Sequence, residues 1–218
     1  MKKLSLYHGS SEIVKAPEYG KGKKNNDYGP GFYCTEHREL AAEWACMTEN
    51  DGYINCYELD VSGLNILNLQ DEKFSILNWL ALLFHNRKLR LSSPIERKGT
   101  NFIIQKYLPD TEKCDVIIGY RADDSYFSFA RAFLTNTITI DQLGIAMRLG
   151  KLGEQYMLKS EKAFQKIRFS HYEIAPFEVY YAKRKARDEA ARKAYHEICE
   201  EDADGIYLRD IIKNGGLS

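Results

Sequence analysis

The chain has no excess of charge of either sign: lysine plus arginine total 31 and aspartate plus glutamate total 31. No net field therefore draws the whole molecule onto nucleic acid or anionic lipid, and only a local patch could do so. Long apolar runs are missing too. The richest stretch, 76–84, is about half of what a membrane-spanning helix needs and reads as a buried helix. Met1-Lys2-Lys3 leads within a few residues to His8-Gly9 rather than into an apolar segment, so no secretory leader is expected. The expectation is a cytoplasmic protein without membrane contact. None of Cys34, Cys46, Cys56, Cys114 and Cys199 stands in CxxC spacing, which favours reduced core thiols over bridges or zinc. His37, His85, His171 and His196 have no ligand spacing, and in His171-Tyr172-Glu173 alternating faces keep the three from converging, so no metal is expected. Repeats, low-complexity segments and linkers are also lacking, so the chain reads as one domain, 1–182, with a helical tail, 183–218, packed on it.

What is present is organised around the turn Asn26-Asp27-Tyr28-Gly29-Pro30-Gly31, which enters a short strand at Tyr33. Two glycines flanking a proline allow positive φ on either side of a fixed one and let another element approach closely. Before it, 3–7 reads as a strand and 11–27 as a long polar loop of the kind that carries function. After it, Thr35 is placed to N-cap a helix bearing Glu36, with Leu40, Ala41, Trp44 and Ala45 inward. A strand at 53–61 follows. Helices over 71–86 and after Ser93-Pro94 make an α-rich middle. Next come a strand at 114–119, a helix bearing Phe127, Ala130, Arg131 and Phe133, and a helix opened by the Thr139/Gln142 capping box and closed at about Gly150. Strands are expected at 154–159, 168–174 and 177–182, the last two broken at Pro176. A charged helix over 183–201 closes the pattern, with Ala186, Ala190, Ala194 and Ile198 on one stripe.

Three segments carry a resemblance: Tyr7-His8-Gly9-Ser10, Gly29-Pro30-Gly31-Phe32-Tyr33-Cys34-Thr35, and Glu154-Gln155-Tyr156-Met157-Leu158. In this order they resemble the ADP-ribosyltransferase superfamily, and more closely a bacterial family of uncharacterised domains assigned to it. The resemblance implies an α+β fold, a split antiparallel β core around an NAD cleft, with a helical middle insertion and a C-terminal helix. It further implies that His8 bonds the nicotinamide ribose, that backbone groups of Gly9 hold the carboxamide, that Tyr33 stacks on the nicotinamide, and that Ser10 and Thr35 belong to the NAD-binding set. Each role suits its side chain: imidazole meets a hydroxyl, glycine admits an amide, and an aromatic face attracts a pyridinium. The implied activity is transfer of ADP-ribose from NAD to a macromolecular acceptor, and the implied setting is a toxin or phage-defence effector held by an antitoxin.

Superfamily members place a glutamate on the late strand, where this chain has Gln155. An amide keeps the hydrogen bond to the ribose but loses most of the charge that stabilises an oxocarbenium-like transition state. Glu154 is adjacent but belongs on the opposite face, and is the catalytic carboxylate only if the register slips or a bulge turns it inward. On this basis Gln155→Glu is expected to raise NAD cleavage, and a catalytically weak or inactive NAD-binding or protein-interaction module is the alternative. Asp123 and Asp124 read as a helix N-cap before paired carboxylates or a metal site, and Arg121 as a surface arginine or a pyrophosphate contact. Lys183, Arg184, Lys185, Arg187, Arg192 and Lys193 read as a solvated face rather than an RNA-binding arm.

Overall fold

A computed structural model describes residues 2–47, 49–87, 89–122, 124–149, 153–200 and 204–217. The fold is α+β, with two sheets and, among the described residues, eight helices. In the first sheet β1 (Lys3–Ser10), β3 (Gly52–Asp60) and β7 (Ile167–Ala175) pair antiparallel in the order β1-β3-β7. The second runs β2-β6-β5-β4, from β2 (Phe32–Cys34), β6 (Glu154–Leu158), β5 (Val116–Tyr120) and β4 (Ile66–Asn68). β4 lies parallel to β5, so this sheet is mixed rather than wholly antiparallel. The sheets meet where Tyr7 and Thr35 exchange backbone hydrogen bonds of 2.8 and 2.9 Å.

Side-chain alternation on β5 and β6 divides the interior. Ile117 and Met157 face a helical core with Leu77, Trp79 and Phe133, whereas Val116, Ile118 and Leu158 face the first sheet at Leu6 and Leu59. Each such fully buried aliphatic side chain contributes about 1.5–3 kcal/mol. Helices α2 (Ile76–Asn86), α3 (Pro94–Tyr107), α4 (Asp124–Leu134) and α5 (Ile140–Ala146) cover that helical side. Local chemistry sets three of their starts: Ser75 with Asn78, Ser93 with Glu96 beside Pro94, and Thr139 with Gln142 form capping boxes. α1 (Arg38–Ala45) packs on β1 and β3 through Ala41 and Ala45. α6 (Glu161–Lys166), α7 (Phe177–Glu200) and α8 (Leu208–Lys213) complete the chain. No helix among the described residues is long and apolar enough to cross a membrane.

Several expectations are corrected. Thr35 is not an N-cap: α1 starts at Arg38 after His37, and Thr35 Oγ1 instead accepts from the His37 N–H at 3.1 Å. Phe74 precedes α2. Residues 177–182 are not a strand, because Pro176 ends β7 and its fixed φ opens α7, which runs across the expected boundary at 182/183. The Ala186/Ala190 stripe faces solvent, while Tyr180 and Ala191 are buried. A strict i,i+4 stripe winds around a helix of 3.6 residues per turn, so it cannot stay on one packed face. β4, α6 and α8 have no counterpart in the sequence reading. Asp123, the side chain of Asp124, Gly150 and Glu201 lie outside the described residues, and α5 ends at Ala146.

Candidate active site

The end of β1, the turn before β2, the start of β6, the 11–27 loop and α7 enclose one open cleft of about 1110 Å³. His8, Gly9, Tyr33 and Gln155 all line it; Ser10, Thr35 and Glu154 do not. Ser10 is used locally, donating to the Glu12 carbonyl at 2.5 Å and accepting from Asn55. Thr35 is fully buried in the β1–β2 junction. Glu154 lines a separate small hollow with His37 and Arg148, so consecutive β6 residues do point to opposite faces.

His8 is half-buried, and its Nδ1 lies 2.7 Å from the Tyr33 carbonyl oxygen. Because a carbonyl only accepts, Nδ1 carries the proton and Nε2 is left as an acceptor. Burial lowers the imidazole pKa and keeps it neutral. Its ring packs on Phe32 at 4.5 Å. Gly9 is required by packing: a Cβ there would lie 1.8 Å from the Ala41 carbonyl oxygen, so α1 can approach only a glycine.

The turn is tied together by its tyrosines. Gly29 takes φ +90°, a conformation side-chain-bearing residues rarely adopt, whereas Gly31 does not; there a Cβ would strike Met157 and the Leu158 carbonyl of β6. Tyr33 donates its hydroxyl to the Gly29 carbonyl at 2.6 Å and accepts from the Tyr28 N–H at 3.1 Å. Tyr28, buried beneath, donates to the Tyr120 carbonyl at 2.5 Å and accepts from Trp79 Nε1 at 2.9 Å. Burial raises both phenol pKa values, so both remain donors.

Beneath Gln155 lies a network centred on Asp27, which is only 4% exposed. Arg87 donates to Asp27 Oδ1 at 2.8 and 2.7 Å; the Ala122 N–H and Gln155 Nε2 donate to Oδ2 at 3.0 and 2.8 Å. Gln155 Nε2 also reaches the Tyr120 carbonyl at 3.1 Å. Both neighbours are acceptors, which turns the amide NH2 toward them and leaves its carbonyl oxygen for the cleft. Among the described residues no donor meets that oxygen. Asp27 and Arg87 are site residues that sequence reasoning missed: Asp27 reads as part of a polar turn and Arg87 as the end of a helix, and only folding pairs them.

Trp44 also lines the cleft, with the Arg121 guanidinium 4.0 Å above its ring. Cys34 is buried and its thiol pKa is pushed well up, so it is no nucleophile. Outside the cleft, Cys56, His171 and Glu173 bring one ligand atom each within 4.8 Å of one another. His171 and Glu173 are two residues apart on β7 and share a face, as strand alternation requires. Arg38 already occupies Glu173, at 2.5 and 3.0 Å, and holds its carboxyl below the usual range.

Residues 4–169 match the model of a family described as a protein of unknown function, DUF3990. The chain belongs to that family. The match takes in His8, Tyr33 and Gln155 and stops before α7. Searches of curated proteins and of solved structures returned no match.

Proposed function

We propose that the cleft binds NAD and that the protein transfers ADP-ribose from it to a macromolecular acceptor. One observation carries this reading: His8, Gly9, Tyr33 and Gln155, from strands far apart in the chain, line a single cleft. Two sheets bridged at Tyr7–Thr35, with the cleft beside that junction, support a split ADP-ribosyltransferase-like core. His8 Nε2 accepts from a ribose hydroxyl, the Tyr33 face packs on the nicotinamide, and the Gln155 carbonyl oxygen accepts from the ribose 2′-hydroxyl. The C1′–N bond to nicotinamide then breaks with its electron pair on nicotinamide, an acceptor lone pair bonds C1′, and the acceptor's proton passes to solvent.

Gln155 can serve despite lacking charge. An amide that donates to a carboxylate becomes a better acceptor at its oxygen, because linked hydrogen bonds polarise one another. Asp27 thus acts through Gln155 as a positioning residue. A bacterial cytoplasmic toxin or phage-defence effector restrained by an antitoxin is the setting this activity suits. The second reading, a catalytically weak NAD-binding module, is favoured by the same network, since Asp27, the carboxylate that Gln155 contacts, is spent on four donors.

Incubating the protein with adenylate-labelled NAD and a cell lysate, then treating with protease or nuclease, separates the outcomes. Label retained on macromolecules is expected. Unchanged NAD, with folded protein and bound NAD, selects the module, and free ADP-ribose alone selects hydrolysis.

A further inference from the structure

The basic run of α7 divides into two sets. One set fastens the helix to α1: Lys183 reaches Glu39 at 2.9 Å and Arg187 reaches the buried Glu43 at 2.9 Å. The other set borders the cleft, which Arg187 also lines. Tyr181, Arg184, Lys185, Asp188 and Arg192 all line it, at the spacing of one helix face. On that face Arg192 is paired with Asp188 at 2.9 Å, and Lys185 approaches Glu189 only to 4.0 Å. Arg184 has no acidic partner among the described residues. Lys23, which lines the cleft from the 11–27 loop, likewise has none. On the same lining Tyr181 is 43% exposed, and its ring is stacked on Phe177 at 4.8 Å and 29°. An exposed aromatic plane held in place and flanked by uncompensated cations suits a chain of alternating bases and phosphates: each base has a face to stack, and each phosphate a charge to meet.

We infer that this rim of the cleft seats the acceptor, and that the acceptor is a single-stranded nucleic acid. The inference rests on the transfer reading above and supplies its substrate class. The rim is separate from the groups assigned to NAD, and the cleft exceeds the roughly 300–1,000 Å³ of ordinary small-molecule pockets. A duplex would present its bases edge-on and stacked on one another, leaving Tyr181 without a partner. The neutral whole chain is no objection, because eight lysine and arginine residues line this cleft against four acids, Glu12, Glu18, Asp27 and Asp188, so its lining is net positive.

The test is fluorescence anisotropy with the full chain and end-labelled RNA and DNA single strands of about 12 nucleotides, within the span of known single-strand sites. A duplex and an acidic peptide of equal charge serve as competitors. The wild-type protein should prefer single strands, with log affinity falling against log salt at a slope of about −2, as for some three phosphates. Arg184→Glu with Lys185→Glu should weaken binding at least about tenfold and flatten the slope by roughly 1. Tyr181→Ala should weaken it about fivefold or more with little change in slope. Circular dichroism checks folding, and NAD turnover without acceptor should stay within about twofold in every variant. The inference is overturned if the wild type binds no single strand, if the acidic peptide competes equally, if the variants bind as tightly as wild type, or if they lose NAD turnover to the same degree as nucleic acid. The two readings fail separately: single-strand binding without NAD turnover would support the rim and sink the transfer reading, whereas NAD turnover without single-strand binding would do the reverse.

Discussion

The floor and the rim of the cleft are built by opposite rules. On the floor, Asp27, Arg87, Gln155, Tyr28, Trp79 and the Tyr120 carbonyl satisfy one another, most of them away from water. At the rim, Arg184 and Lys23 have no acidic partners among the described residues and Tyr181 is open to solvent. A floor of satisfied polar groups fixes geometry, because moving one member strands the others in a low dielectric. A rim of hydrated charges has little holding it in one arrangement and adapts to what arrives. The floor therefore suits a small ligand of constant shape, and the rim a partner of variable sequence.

The largest effect should come from opening the floor. Arg87→Ala leaves Asp27 buried without its cation and should cost about 3–5 kcal/mol, read as the shift in a denaturant midpoint. If the loss is under about 1 kcal/mol, as is usual for an exposed pair, the floor is not the rigid unit described.

Gln155→Glu comes next and reverses the sign expected from the sequence. The new carboxylate would face Asp27 Oδ2 and the Tyr120 carbonyl, both acceptors, where Gln155 now donates at 2.8 and 3.1 Å. Like-charge repulsion and a lost hydrogen bond should destabilise the fold by about 2–4 kcal/mol near pH 7 and lower NAD turnover. The substituted carboxyl would have a raised pKa in the folded state, so part of that stability should return as pH falls. A variant as stable as wild type with faster NAD cleavage would show that the amide is a substitute for the carboxylate rather than a fitted part of the floor.

A smaller effect is expected from pH at His8. Its pKa is lowered on folding, so the unfolded chain binds a proton first as pH falls. This contribution to stability is complete above about pH 6.5, declines below it, and levels off under the folded-state pKa. NAD affinity should also fall in acid as Nε2 ceases to accept. A His8→Ala variant that kept the same acid loss would assign it to other groups. The smallest effect belongs to Glu154→Ala, which should change NAD turnover and stability by less than about 0.5 kcal/mol, because the residue lines a different hollow.

The elements legible in the sequence were those written locally. Thr139 and Gln142, or Ser93 and Pro94, announce a helix start within four residues, and period-two alternation put Gln155 and Glu154 on opposite faces before any fold was known. Pro176 misled because the same fixed φ that breaks a strand also opens a helix. Three-residue β4 is too short to show alternation and exists only because β5 is beside it. The site divided the same way: His8 and Tyr33 were marked by their glycine contexts, whereas Asp27 and Arg87 carry no local mark and meet only through the turn and the end of α2. Gly9 was noticed for ligand access, yet the structure ties it first to the backbone of α1.

The central claim is that the cleft is an NAD site, and calorimetric titration of NAD into the wild type, His8→Ala and Tyr33→Ala tests it most directly. The account predicts saturable one-site binding by the wild type, weakened by about 1–2 kcal/mol in His8→Ala through the lost ribose hydrogen bond, and at least as much in Tyr33→Ala. Equal NAD affinity in all three folded proteins, or no binding by the wild type, would contradict it.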